Sequence, residues 1–182
     1  MSEKTRWIAL LAVGVALFVV LSLFLQVPVF ENYYLCLGYV VMAVYCWCFG
    51  PLAGTAVGFF GVILYCLVIS GLRGMPGWAL GNVPIGLALG FYARAARKMR
   101  SRPLALALAV PLVIAVCALG ILGVKSLTES LLYLQPFLVR VGKNFTAFVA
   151  DAAVLLLSLP LCWQLERPAK KLFPQLCAKA KE

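Results

Sequence analysis

The chain has 182 residues, is 64% hydrophobic and has a mean hydropathy of +1.02, whereas a soluble domain is about 45–50% apolar. That composition excludes an ordinary soluble enzyme and leaves an integral membrane protein. The formal charge is +10 and histidine is absent, which removes the commonest metal ligand and the commonest general base.

Six apolar runs follow in chain order, at residues 7–25, 34–49, 52–69, 78–93, 104–122 and 145–165. A bilayer core needs ~20 such residues per helix, so the second and fourth are short. The first run exceeds the apolar stretch of a signal peptide and lacks a small-residue cleavage site after it, so it reads as a retained span. Phe49, Gly50 and Pro51 make the turn between the second and third runs, because proline disfavours helix in the residue before it. The fold class expected is an all-α membrane protein, a six-transmembrane-helix bundle forming one domain over 1–182.

Lysine and arginine set its orientation. Lys4, Arg6, Arg94, Arg97, Lys98, Arg100, Arg102, Arg167, Lys170, Lys171, Lys179 and Lys181 fall on one side. Only Arg73, Lys125, Arg140 and Lys143 fall on the other. Both termini are therefore expected in the cytoplasm, with the positive charge anchoring the inner leaflet of the lipid bilayer. Because the charges flank spans, no nucleic-acid partner is expected. The outer connections are 27–33, 70–77 and 123–144. The last, containing "LTESLLYLQPFLVRVG", alternates apolar and polar residues and suits a short interfacial helix or lid.

An ionisable residue inside a membrane helix is a functional candidate, and Asp151 is clearly embedded. Asn144 lies seven residues before it and Ser158 seven after, on one helical stripe. Asp151 should sit roughly 10 Å below Asn144. Two readings of Asp151 stand, a ligand contact and a polar tie between helices. Trp78 and Asn82, four apart, share a face of the fourth span, entered through Gly71, Arg73, Gly74 and Gly77. Trp78 alone would suit an interfacial aromatic belt; with Asn82 and Arg73 it suits a site. The first outer connection adds Glu31, Asn32, Tyr33 and Tyr34.

These residues describe a mostly apolar pocket with a few polar anchors, opening outward. Arg73, Lys125, Arg140 and Lys143 make its mouth positive, favouring anionic or electron-rich ligands. Catalysis is not expected: no nucleophile–base pair, paired carboxylates or phosphate-cradling glycine motif occurs, and neither a metal nor a cofactor is called for. The seven cysteines read as small buried hydrophobes, and Cys46–Trp47–Cys48 lacks redox-motif spacing. Gly54-x-x-x-Gly58 and Gly86-x-x-x-Gly90 indicate close helix packing. Ala9, Ala12 and Ala16 give the first span a flat face, for packing within the chain or for docking another subunit.

At this point the chain resembles the S-components of energy-coupling factor (ECF) vitamin transporters, in particular the riboflavin-type and related uncharacterised branches. The resemblance rests on the six-span length, "AVGVA" at 12–16, "LGYVVMAVYCWCFGPLAGTAVGFFGVIL" at 37–64 and "WALGNVPIGLALGF" at 78–91. It implies high-affinity capture of a vitamin or related micronutrient outside a prokaryotic plasma membrane. The partners it implies are a transmembrane coupling subunit and two cytoplasmic ATPase subunits. It makes Ala12 and Ala16 the docking face, with Ala9 on the same side. It places Asn32, Tyr33, Trp78, Asn82, Lys125, Arg140 and Asn144 around the ligand; Arg73 and Asp151 join them from the residue reading. The third span, "GVILYCLVISG", lacks the histidine or acidic residue that some branches carry there, so ligand identity does not transfer. Two alternatives remain: a small membrane enzyme using Asp151 as its acid–base group, and a ligand-free assembly subunit.

Overall fold

A computed structural model describes residues 3–24, 27–30, 33–69, 75–99, 101–174 and 177. Helix α1 (Glu3–Phe24) leads into a two-stranded antiparallel hairpin, β1 (Val27–Phe30) and β2 (Tyr33–Leu35). Then come α2 (Gly38–Phe49), α3 (Pro51–Ile69), α4 (Met75–Ala96) and α5 (Arg102–Cys117). A π-helical segment, Ala118–Lys125, runs on from α5 into α6 (Ser126–Tyr133), and α7 (Phe137–Leu172) closes the bundle.

Four helical stretches are long and apolar enough to cross a membrane: Lys4–Phe24, Pro51–Ile69, Arg102–Tyr133 and Phe137–Leu172. Their outward faces carry large apolar side chains such as Ile8, Phe24, Leu52 and Leu157, each more than two-thirds exposed. Contiguous apolar surface of that kind belongs against lipid. Helix α2 explains itself differently. It is apolar all round, and Tyr39, Met42, Cys46 and Trp47 are buried where it packs against α1, α3, α4 and α7. A helix without a polar face belongs inside the bundle.

Glycines set how closely these helices approach. Gly50 has φ 93°, a left-handed conformation open to glycine, and it turns the chain directly into Pro51 at the start of α3. A Cβ on Gly90 would lie 2.2 Å from the Pro51 Cα, and one on Gly54 would lie 2.0 Å from the Cys46 Sγ. The two G-x-x-x-G pairs thus pack α3 on α2 and α4 on α3. All seven cysteines are buried free thiols.

Several boundaries differ from the sequence expectation. Residues 27–33 were expected as a loop, but β1 and β2 pair there with an irregularity between Pro28 and Phe30. Helix α4 runs to 22 residues, beyond the fourth apolar run at both ends, and is not among the four stretches long and apolar enough to span. The sixth begins at Phe137 rather than 145 and continues to Leu172. The long connection 123–144 is mostly helix. Its reversal is confined to Leu134–Pro136, where Leu134 has φ 51°. Alternating polarity hid these helices because α6 is amphipathic and the start of α7 is exposed.

Candidate functional site

The polar side chains buried inside the bundle gather at the hairpin end. The α2 residue Tyr39 is fully buried, and its hydroxyl donates to Asn82 Oδ1 at 2.7 Å while accepting from Trp78 Nε1 at 2.9 Å. Asn82, also fully buried, donates from Nδ2 to the Gly58 carbonyl of α3 at 3.0 Å. A chain of hydrogen bonds therefore ties α2, α3 and α4 together around one phenol. The spacing of Trp78 and Asn82 brings both to the same partner, as one helical turn should.

Asp151 approaches from α7. It is 6% exposed and interacts with both the Tyr39 hydroxyl and the charge of Lys125. Tyr39 has one proton, which it gives to Asn82 Oδ1. Lys125 and Asp151 form no direct ion pair among the described residues. The Lys125 ammonium instead stands over the Trp78 ring, 5.9 Å from its centroid, and Tyr65 packs edge-on to that ring at 5.7 Å. An ammonium over an aromatic face is held by the ring's quadrupole.

The π-helical segment is what delivers Lys125. Gly81 of α4 and Gly120 meet backbone to backbone: a Cβ on either would lie 2.5–2.6 Å from the other's carbonyl oxygen. π-Helical turns are rare and concentrate at functional sites; this one contains both Gly120 and Lys125.

A second cluster lies above the first. Asn144 Nδ2 donates to Ser126 Oγ and Glu129 Oε2, both at 3.0 Å. Arg140 stands 3.6 Å from the same Glu129 oxygen and 4.5 Å from the Tyr133 ring centroid. The effect is to fasten α6 onto the first turns of α7. Asn144 is thus a buried residue within α7, not one at the mouth of a loop, and Arg140 is not a free cation there. Glu129 adds an acidic group to a side expected to be positive.

Asn144, Asp151 and Ser158 all face inward on α7, though Ser158 donates to its own Leu155 carbonyl. Tyr33 lies on β2, with its backbone paired to Phe30. Asn32 and Arg73 lie outside the described residues. Ala9, Ala12 and Ala16 are exposed along α1. The sequence reading missed Tyr39, Ser126, Glu129 and Tyr133. Tyr39 had one available signal: a phenol beginning an otherwise apolar helix must find a polar partner.

These features define a helical membrane protein with a cluster of buried polar side chains at one end of its bundle. The family model described as "ECF-type riboflavin transporter, S component" matches residues 2–167, and the chain belongs to that family. Its fold is similar to the crystal structure of the S-component for biotin from an ECF-type ABC transporter. The TM-score is 0.63 over 92% of this chain and 95% of that one, at 16% identity. A UPF0397 protein of Lactococcus lactis subsp. cremoris is 38% identical over 93 residues, 50% of each chain. One from Streptococcus thermophilus is 29% identical over 93 residues, 51% of each. The chain spans about half the length of the curated relatives it matches.

Proposed function

We propose that this chain is the high-affinity substrate-binding subunit of an ECF-type importer. It captures a vitamin-like molecule at the hairpin end, outside a prokaryotic plasma membrane. Six spans, with α2 and α4 completing the four long ones, put both termini in the cytoplasm. A coupling subunit docks on the exposed Ala9, Ala12 and Ala16, and two ATPase subunits supply the energy. Family membership supports the role. The observation that carries the site is the Trp78–Tyr39–Asn82 chain with Lys125 and Asp151 on either side of it.

The ligand chemistry follows from that arrangement. Lys125 offers a donor and Asp151 an acceptor, separated by more than ion-pair distance. A ring edge carrying a C=O and an N–H, as in a cyclic amide, imide or ureide, would bridge them, and Trp78 would stack on the ring. Asn82 is spent on Tyr39 and Gly58, so it positions the phenol rather than touching ligand. Asn144, Glu129 and Arg140 hold α6 over the site, and Asn32, Tyr33 and Arg73 are proposed as further ligand contacts. The test is calorimetric titration of the purified chain with riboflavin and with biotin, beside Asp151→Asn and Lys125→Met. Tight binding of one vitamin by the parent, weakened in both variants, supports the site; unchanged binding in both contradicts it.

A further inference from the structure

The opposite end of the bundle holds a cavity of about 190 Å³ that the ligand site and alanine face do not use. Its walls are Arg97 and Met99 after α4, Arg102 of α5, and Trp163, Glu166 and Lys170 of α7. Three cations thus face one carboxylate, and that carboxylate is saturated. Glu166 accepts from the Trp47 indole at 3.2 Å and from Lys170, and it stands 3.4 Å from Arg97 Nε.

Arg97 is 14% exposed at its side chain, and its Nε is buried without a hydrogen bond. Arg102 has no ion-pair partner among the described residues. Glu166 offsets one cation, so net positive charge is left over on a wall made by the partly buried Arg97 and the exposed Arg102 and Lys170. The cavity is smaller than the ~300–1,000 Å³ of small-molecule sites. From it, α5 and α7 continue with exposed Leu104, Leu108, Leu161 and Leu165. A small anionic head therefore has an apolar surface beside it.

We infer that this cavity binds the phosphate of an anionic phospholipid headgroup, held by Arg97 and Arg102 with Lys170 at the rim. Basic pockets between membrane helices on the cytoplasmic side recognise such headgroups. The inference rests on the membrane placement above but not on the vitamin, whose site lies at the other end.

Native mass spectrometry of the full chain in detergent, titrated with phosphatidylglycerol or phosphatidylcholine, tests it. Phosphatidylglycerol should bind preferentially, and Arg102→Gln should weaken it about fivefold, one cation's share at a membrane surface. Arg97→Gln/Arg102→Gln should weaken it further, and Arg167→Gln, exposed outside the cavity, should not. Arg102 is exposed, so its variant should fold, and circular dichroism confirms that. Equal binding of the two lipids would overturn the inference, as would parent-like binding by folded Arg102→Gln. Displacement of the lipid by excess inorganic phosphate would also overturn it, identifying a soluble phosphate site instead. Retained vitamin binding in Arg102→Gln separates this result from the fate of the proposed function.

Discussion

Trp78 and Tyr39 are joined by a 2.9 Å hydrogen bond in which the indole donates to the phenol, linking the entry of α4 to the central helix α2. Everything assigned to the ligand site hangs on that phenol. It orients Trp78, anchors Asn82 and borders Asp151.

Tyr39→Phe keeps the ring and removes the shared oxygen. Trp78 Nε1 and Asn82 Oδ1 lose their partner together, and leaving a buried polar group unpaired costs about 1–3 kcal/mol. Thermal unfolding in detergent should show the loss, and vitamin affinity should fall with it. A fully stable, fully binding Tyr39→Phe would remove the phenol from the account.

Of the four tryptophans, only Trp78 is at the hairpin end; Trp7 lines a groove beside Arg94, and Trp47 packs on Trp163 near Glu166. Ligand-dependent quenching of tryptophan emission should therefore vanish in Trp78→Phe. It should persist in Trp47→Phe.

Two glycine substitutions should have opposite signs. Gly81→Ala drives a methyl to 2.6 Å from the Gly120 carbonyl oxygen, and overpacking of that kind costs about 1–3 kcal/mol. It should also displace Lys125 and weaken binding. Gly142→Ala meets nothing within 4 Å on an exposed turn of α7, so lower chain entropy should stabilise it by about 0.5–1 kcal/mol. Melting temperatures of the pair check both.

Glu129→Ala removes the acceptor shared by Asn144 and Arg140 and frees α6; Glu129→Gln retains an acceptor for Asn144. Stopped-flow measurement of vitamin release should find the alanine variant roughly tenfold faster, the effect of about 1.4 kcal/mol lost from the closed state. Equal rates in both variants would mean that α6 does not cover the site.

Periodicity and apolar run length made the bundle legible, because membrane helices must be long and apolar. G-x-x-x-G spacing located the close helix contacts, and the four-residue interval of Trp78 and Asn82 placed them on one face. Tyr39 was hidden in an apolar run that disclosed no partner, since Asn82 is 43 residues away. Glu129 was hidden in a connection whose helix packs on α7, α4 and the π-helical segment, which are distant or irregular in sequence. The π-helical segment carries no residue signature, and the Gly81–Gly120 approach within it joins two helices far apart in sequence.

The proposed function depends on a vitamin-like ligand held between Lys125 and Asp151 against Trp78. Native mass spectrometry of the purified parent chain, beside Trp78→Ala and Asp151→Asn, tests it most directly. A heterocyclic vitamin carried by the parent and lost from both folded variants is the expected result. The same vitamin retained undiminished by both variants would contradict it.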